Sequence, residues 1–205
     1  MKLLLYCTKA KPYLYKPFEW DCFPNDEASR FYLGDGKTIE IDEELNGKIV
    51  AECDFEVEEL TNCGTSFMIM KYDDLQKSYR YTNKIARGSC LNYTDLRRYL
   101  GTNNGYVIHI KNLHIFDEPK ELSDYIVRQC QFGKCSTCEY GKKEIHCGTI
   151  DTPITKAPQN MMYCYEEGEK KVLISIRPEW LCKILNGEKT IEVRKKVLKE
   201  MKNDK

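Results

Sequence analysis

Alternation of apolar and polar residues near the C-terminus predicts a strand followed by a short helix. Val172, Ile174 and Ile176 recur at every second position, which is the spacing of a strand. Pro178 suits the first turn of a helix, because its φ is already helical and no N–H is needed there. Gly187 can take the left-handed conformation that ends a helix. The helix-spaced apolar positions between them are Trp180, Leu181, Ile184 and Leu185.

A second strand is predicted directly after this helix. Ile191 and Val193 fall on one face, and the polar residues between them fall on the other. We name the polar residues at its start and on its second face the polar row: Lys189, Thr190, Glu192 and Arg194. The row is expected to face outward. Periodicity alone does not distinguish a binding surface from a solvated strand face.

Similar patterns predict five more strands along the chain. Their ranges are Leu3–Lys9, Lys48–Glu59, Ser66–Lys71, Gly105–Phe116 and Ala157–Tyr165. In the second of these, Val50, Phe55 and Val57 are expected in the core. Glu52, Glu56 and Glu58 are expected in solvent, with a β-bulge correcting the register.

The connections carry turn and helix signals. Thr94 is a plausible N-cap for a helix through Leu100, with Gly101 ending it. The stretch Asp117–Asp124 is expected to be a turn or a single helical turn, and Glu166–Lys171 a polar hinge. We expect one domain over residues 1–205, with barrel strands in 1–165 and the strand–helix–strand unit in 172–198. Insertions are expected at 17–46, 61–92 and 126–156.

The strand–helix–strand unit resembles the signature of ASCH domains. The resemblance rests on Ile-x-Ile-x-Pro in the first strand, Asn-Gly at the helix end, and Gly-Glu-Lys-Thr-Ile-Glu-Val-Arg over Gly187–Arg194. ASCH domains are PUA-like β-barrels linked to RNA. The resemblance implies an α+β fold, namely a small mixed or antiparallel barrel with a few short helices. It also implies a cleft lined by Gly187–Arg194.

The order of the segments departs from the family pattern. In many ASCH proteins the proline–helix–Gly-x-Lys unit comes first, whereas here it comes last. The segments similar to the rest of the family are Leu5–Lys9, Gly47–Glu52, Tyr106–Leu122 and Pro158–Tyr163. We expect a circularly permuted barrel in which Ile174–Arg194 packs beside Leu3–Tyr6. The alternatives are a truncated second copy, or a segment that completes a neighbouring chain.

Composition narrows the possible partners. The 205 residues suffice for one good core, and the 32 basic residues are balanced by 32 acidic ones. Net charge therefore gives no argument for a general nucleic-acid binder, although basic residues exceed acidic ones over Lys170–Lys205. There is no apolar run long enough to span a bilayer, and no signal-peptide pattern. A cytoplasmic protein with no membrane partner is expected, and a protein partner remains possible.

Eleven cysteines include one cluster with the spacing of metal ligands. An odd count without an export signal favours thiols or metal ligands over a disulfide framework. The cluster consists of Cys130, Cys135, Cys138 and Cys147, with His146 as a possible replacement for one of them. Its Cys-x2-Cys pair predicts a structural zinc site. The alternative is a loop that contains cysteines without a metal.

Two classes of function follow from the unit and its resemblance. The first is a module that binds RNA, a nucleotide or a nucleoside. Its candidate ligand-binding residues are Arg177, Trp180, Lys189, Thr190, Glu192 and Arg194. Basic side chains would hold phosphate or a base edge, and Trp180 would stack on an unpaired base. Alternatively, the polar row is a structural set of ion pairs.

The second class is a hydrolase that acts on RNA or a modified nucleoside. One branch of ASCH-like proteins resembles amidohydrolases that deacetylate N4-acetylcytidine with a Lys-x-x-Thr pair and a separate Glu. Here Lys189 matches the lysine, Glu192 occupies the threonine position, and the separate glutamate would fall near Ser89. Lys189 and Glu192 are the candidate catalytic residues, with Glu192 as a base on water and Lys189 polarising the carbonyl. Ribonuclease activity is the other possibility in this class.

Overall fold

The computed structural model describes residues 1–9, 45–63, 67–69, 85–130 and 149–202. These residues form one nine-stranded sheet with a few short helices. The strands are β1 Lys2–Cys7, β2 Ile49–Asn62, β3 Phe67–Ile69, β4 Gly105–Lys120, β5 Ile126–Cys130, β6 Thr149–Pro153, β7 Met161–Glu166, β8 Glu169–Ile176 and β9 Ile191–Arg194. The helices are α1 Tyr93–Leu100 and α2 Pro178–Leu185, with a helical turn at 85–89 and 3-10 turns at Leu122–Asp124 and Lys199–Lys202. Among the described residues, no helix is both long and apolar enough to cross a membrane.

The sheet runs in the order β6-β5-β7-β8-β1-β2-β4-β9, and β3 pairs with β2. Strand β8 lies parallel to β1, with Leu5 opposite Ile174, and the other paired strands are antiparallel. The sheet is therefore mixed, as expected for an α+β fold. Strand β8 of the C-terminal unit pairs with β1 of its own chain, as expected, whereas β9 pairs with β4. Circular permutation itself stays a prediction.

The sheet curves like a barrel, but its backbone ladders do not close. Strand β9 pairs with β4 along one edge. The connection from β9 to β8 is made instead by side chains. Arg194 Nη2 donates to the carbonyl oxygen of Ser175 at 2.6 Å, and Nη1 donates to Asn160 Oδ1 at 3.0 Å. A guanidinium thus joins the end of β9 to β8 where a strand ladder is missing.

Apolar side chains cover both faces of the sheet. The largest core cluster lies where β1, β2, β4 and β8 meet α2, and includes Leu5, Phe55, Ile174 and Leu181. On the opposite face of β2, β4 and β9, the helical turn at 85–89 and α1 cover a second cluster. A third cluster around Tyr125 joins β1 and β8 to the β5–β7 end of the sheet. Burial on both faces explains why several strands lack a fully polar face.

The long strand β2 follows the predicted pattern with one correction. Its pairing with β4 shifts register twice, so the expected bulge is confirmed. Glu56 is exposed, but Glu52 and Glu58 are half-buried. Glu52 accepts from Lys171 Nζ at 3.1 Å, and Glu58 lies 2.7 Å from His109 Nε2. These two glutamates are only partly exposed to solvent, because Lys171 and His109 on neighbouring strands face them.

Three connections differ from their predictions. Helix α1 begins after Asn92, whose side chain accepts from the Asp95 N–H at 2.7 Å, and not after Thr94. Residues 117–120 continue β4, and the expected single helical turn follows at Leu122–Asp124. The polar hinge is a tight β-hairpin, with Glu167 at φ +50° and Gly168 at φ +86°. Residues 126–130 and 149–153, within the predicted insertion at 126–156, pair with each other as β5 and β6.

Candidate functional site

Helix α2 and strand β9 hold the polar row in place. Arg177 is the N-cap of α2 and Pro178 occupies its first turn, as predicted. Gly187 ends the helix at φ +76°, a conformation that side-chain-bearing residues avoid. The Lys189 N–H then donates to the carbonyl of Lys183 at 2.9 Å. This bond turns the chain back along α2 and directs Lys189 inward.

Residues 88–90, far away in the sequence, clamp the start of the polar row. The Thr190 N–H donates to the carbonyl of Gly88 at 2.8 Å, and Lys189 Nζ donates to the carbonyl of Ser89 at 2.7 Å. Ser89 is fully buried. The position matched loosely to the family's separate glutamate therefore does lie at Lys189. It supplies its carbonyl oxygen to Lys189, whereas its hydroxyl donates to the carbonyl of Ala86 at 3.3 Å, and it has no carboxylate.

Lys189 is the most buried charged group of the row, with 3 % of its side chain exposed. Its ammonium nitrogen lies 3.2 Å from Glu192 Oε2 and 5.2 Å from the centroid of the Trp180 ring. Burial lowers the pKa of Lys189, because the charged form loses its water, and the Glu192 carboxylate opposes this effect. The amine is therefore held close to a carboxylate and an aromatic face in a dry environment.

Glu192 joins this lysine to Arg194. Its Oε1 atom lies 2.8 Å from Arg194 Nε, and the two side chains are 12 % and 14 % exposed. Lys189, Glu192 and Arg194 thus form a continuous chain of ion pairs along one face of β9. The prediction that Glu192 and Arg194 share a face is confirmed, but the prediction that the row faces outward is wrong for these three residues. Thr190 alone is exposed.

The accessible groups of the site surround the buried row. The Arg177 side chain is 71 % exposed and lies 3.9 Å from Glu179. Trp180 is half-buried, and Lys183 Nζ lies 5.5 Å from its ring centroid. The ammonium groups of Lys183 and Lys189 therefore both lie near the Trp180 indole. Arg177, Trp180, Lys183 and Thr190 thus keep accessible surface, whereas the ion-paired side chains are largely buried.

Most of the predicted zinc site falls outside the described residues. The residues outside the described ranges are Cys135, Cys138, His146 and Cys147. Cys130 is described, and it ends β5, where the β5–β6 pairing places it opposite Thr149. Within the described ranges, no three or more His, Cys, Asp or Glu side chains are grouped to hold a metal. Zinc therefore stays a prediction.

Three other cysteines, Cys7, Cys53 and Cys164, are buried in strands. Burial raises the pKa of Cys7 to about 11, and that of Cys53 and Cys164 to about 12. Thiols with such pKa values are poor nucleophiles and poor metal ligands near neutral pH. They serve as small apolar side chains.

Periodicity alone did not identify two parts of the site. Gly88 and Ser89 lie about a hundred residues before the row, in a stretch without clear periodicity, and only the loose match to the family pointed to Ser89. Lys183 lies three residues after Trp180 on the predicted helix, a spacing that places the two side chains on one face and could have indicated their contact. No family model matches the chain, and comparisons with curated proteins and with solved structures give no match. The ASCH resemblance therefore remains a prediction from the residues.

Proposed function

We propose that the chain is a module that binds RNA or nucleotides at the surface formed by Arg177, Trp180, Lys183 and Thr190. The observation that carries the proposal is the half-buried Trp180 ring with ammonium groups at 5.2 Å and 5.5 Å from its centroid. An indole offers a stacking face for a base, and nearby cations attract the phosphate attached to it. The resemblance to ASCH domains points to the same ligand class.

In this proposal the buried ion pairs shape the site without being its main contacts. Arg194 already donates to Asn160 and Ser175, and Lys189 donates to Ser89. Moving either cation to a ligand would break a bond in a poorly hydrated environment. Their role is to fix Trp180 and β9 in position and to contribute positive potential. The outward-facing Arg177 is the cation suited to contact phosphate directly.

Binding is tested by tryptophan fluorescence during titration with nucleoside 5′-monophosphates and short RNAs. The chain has a second tryptophan, Trp20, so Trp20→Phe serves as the reference protein. We expect the ligand to quench the remaining emission, from Trp180. In the same background, Arg177→Gln should weaken binding, whereas Lys156→Gln, at an exposed position away from this surface, should leave it unchanged.

A second set of measurements uses Trp180→Leu and an assay without fluorescence, such as calorimetry. Loss of a stacking contact worth about 1–3 kcal/mol corresponds to a decrease in affinity of roughly 5- to 150-fold. Unchanged affinity in Trp180→Leu would contradict the proposed site. Absence of binding by the unaltered protein to any nucleotide or RNA would contradict the proposed function.

A hydrolase is the second candidate, favoured by one observation. A buried lysine with a lowered pKa beside a carboxylate at 3.2 Å is an arrangement that active sites use. Glu192 would take a proton from water as the water oxygen attacks an amide carbonyl, and the Lys189 ammonium would polarise that carbonyl. The amide bond would then break to release an amine and a carboxylic acid.

Mass spectrometry of the protein with N4-acetylcytidine and with short RNAs separates the two candidates. Binding without conversion supports the binding module. Conversion that Glu192→Gln abolishes, in a variant shown by circular dichroism to be folded, would instead establish the enzyme. Exposed Glu188→Gln is the matched control, since it removes the same charge four residues earlier.

A further inference from the structure

The segment that follows β9 displays lysines outward from an apolar anchor. Val197 and Leu198 pack against the main core cluster, and Met201 is buried within it. The lysines of the segment are all exposed: Lys195, Lys196, Lys199 and Lys202. Five of the nine residues from 194 to 202 are basic and one is acidic. The positive charge is therefore held on a fixed surface.

These four lysines differ from most other surface lysines of the described residues in their partners. Elsewhere the common partner is a carboxylate, as in Lys2–Asp54 and Lys111–Glu56. The four lysines form no ion pair with a carboxylate in the part of the chain that the structure describes. Their positive charge is thus not offset locally, and it is available to an anion.

Aromatic rings lie between the lysines. Lys195 Nζ is 5.2 Å from the ring centroid of Tyr99 in α1, and the Tyr99 side chain is exposed. Lys202 Nζ is 4.4 Å from the Tyr106 ring in β4 and donates to its hydroxyl at 2.6 Å. Tyr106 is paired with Arg194 across β4 and β9. The rings and ammonium groups therefore lie around strand β9 at the edge of the sheet.

We infer that this surface binds the backbone of a single-stranded nucleic acid, and that it extends the site at Trp180; the inference rests on the proposed function. Unpaired lysines alternating with exposed tyrosine suit a strand whose phosphates and bases are both accessible. The buried ion pairs of β9 connect the two regions. The exposed residues Thr190 and Lys195 are five residues apart. This is a span of at most roughly 18 Å in extended chain, so one short strand can reach both.

The test compares binding of a fluorescently labelled 12-nucleotide RNA at several salt concentrations. The tail variant carries glutamine at Lys195, Lys196, Lys199 and Lys202. A matched control loses the same charge at Lys2, Lys48, Lys111 and Lys156. For single strands, each phosphate contact contributes about 0.7 to the slope of log K against log salt. We expect the tail variant to lose up to roughly 3 in slope and to bind on the order of 100-fold more weakly at 0.1 M salt.

Two further variants separate charge from shape. Arginine at the same four positions should restore the slope, because it restores the charge. Tyr99→Leu should weaken binding at least about fivefold through lost stacking, with the slope unchanged. A DNA strand of the same sequence shows whether the surface distinguishes the two sugars.

The outcomes distinguish this inference from the proposed function. If nucleoside monophosphates still quench Trp180 but the tail variant keeps the full RNA slope, the surface inference is wrong and the proposed function stands. If neither monophosphates nor RNA bind, both are wrong. Equal slope losses in the tail variant and its control, or binding to anionic lipid vesicles but not to RNA, would also overturn the inference.

Discussion

Replacing Glu192 with glutamine removes the carboxylate that lies between the Lys189 and Arg194 cations. The lysine and glutamate side chains are 3 % and 12 % exposed, so water screens their interaction far less than at the surface. Breaking a buried pair by removing one partner costs about 3–5 kcal/mol. Because both cations keep their bonds to oxygen atoms, we predict the lower end, about 3 kcal/mol at pH 7. For a chain of this size, that lowers Tm by roughly 6–12 °C.

The loss should depend on pH with a definite sign. Burial already lowers the pKa of Lys189, and removal of the carboxylate lowers it further. A lysine with a folded pKa below its unfolded value takes up a proton on unfolding, so the folded state gains stability as the pH rises through that window. The window ends near the ordinary lysine pKa of about 10.4. The cost of Glu192→Gln should therefore shrink between pH 7 and about pH 10.

Urea unfolding followed by circular dichroism at both pH values measures this cost. Exposed Glu188→Gln is the control for loss of the same charge nearby, and we expect it to change the free energy of unfolding by less than about 0.5 kcal/mol. Lys189→Met, alone and combined with Glu192→Gln, completes a double-mutant cycle for the pair. A cost below about 1 kcal/mol at pH 7, or the same cost at both pH values, would refute this account of the buried ion pairs.

Three further predictions concern packing, alkaline stability and metal. Gly88→Ala would place a Cβ atom 2.7 Å from Ile191 Cδ1, so we expect the free energy of unfolding in urea to fall by about 1–3 kcal/mol. Adding Ile191→Val, which removes the Cδ1 atom, should recover part of this loss. The three buried strand thiols ionise near pH 8.5 when unfolded but near pH 11 to 12 when folded, so their stabilisation is complete below about pH 8.5 and is lost above it. The expected slope is up to about 1.4 kcal/mol per pH unit for each thiol, and replacing Cys164 with alanine should reduce it by one thiol's share; an unchanged slope would contradict this. Purified protein should contain one zinc ion by elemental analysis. Cys135→Ser or Cys138→Ser should remove the zinc, whereas Cys90→Ser should not. Metal-free, fully folded protein would contradict the zinc prediction.

The strand–helix–strand unit was predictable from the sequence because neighbouring residues alone determine its backbone conformation. The alternation before Pro178 and the glycine at position 187 limit the backbone to a few conformations, and the structure has them at those positions. The start of α1 was predicted two residues too late, because Asn92 and Thr94 are both good N-cap residues and the local pattern does not choose between them. Capping by Asn92 allows Leu96 and Leu100 to face the core, and that tertiary packing decides between them.

The environment of the polar row was not predictable in the same way. A strand face is polar or apolar in the sequence, but its exposure depends on what packs against it. Ser89, Asn160 and Ser175 supply the groups that face Lys189 and Arg194, and no periodic pattern connects these distant positions. The same is true of Glu52, whose partner Lys171 lies on β8. Partners of buried charges are set by topology, which the local pattern does not contain.

The parallel pairing of β8 with β1 also affects how the chain can fold. On one edge of β1, Leu5 pairs with Ala51, which closes a short loop. On the other edge, Leu5 pairs with Ile174, which closes a loop of about 170 residues. The entropic cost of closing the longer loop exceeds that of closing the shorter loop by on the order of 1 kcal/mol. One edge of an apolar strand therefore stays unpaired until nearly all of the sheet's sequence has been synthesised. We expect slow folding with a nascent strand open to aggregation, so expression at lower temperature or with chaperones should increase the yield of folded protein.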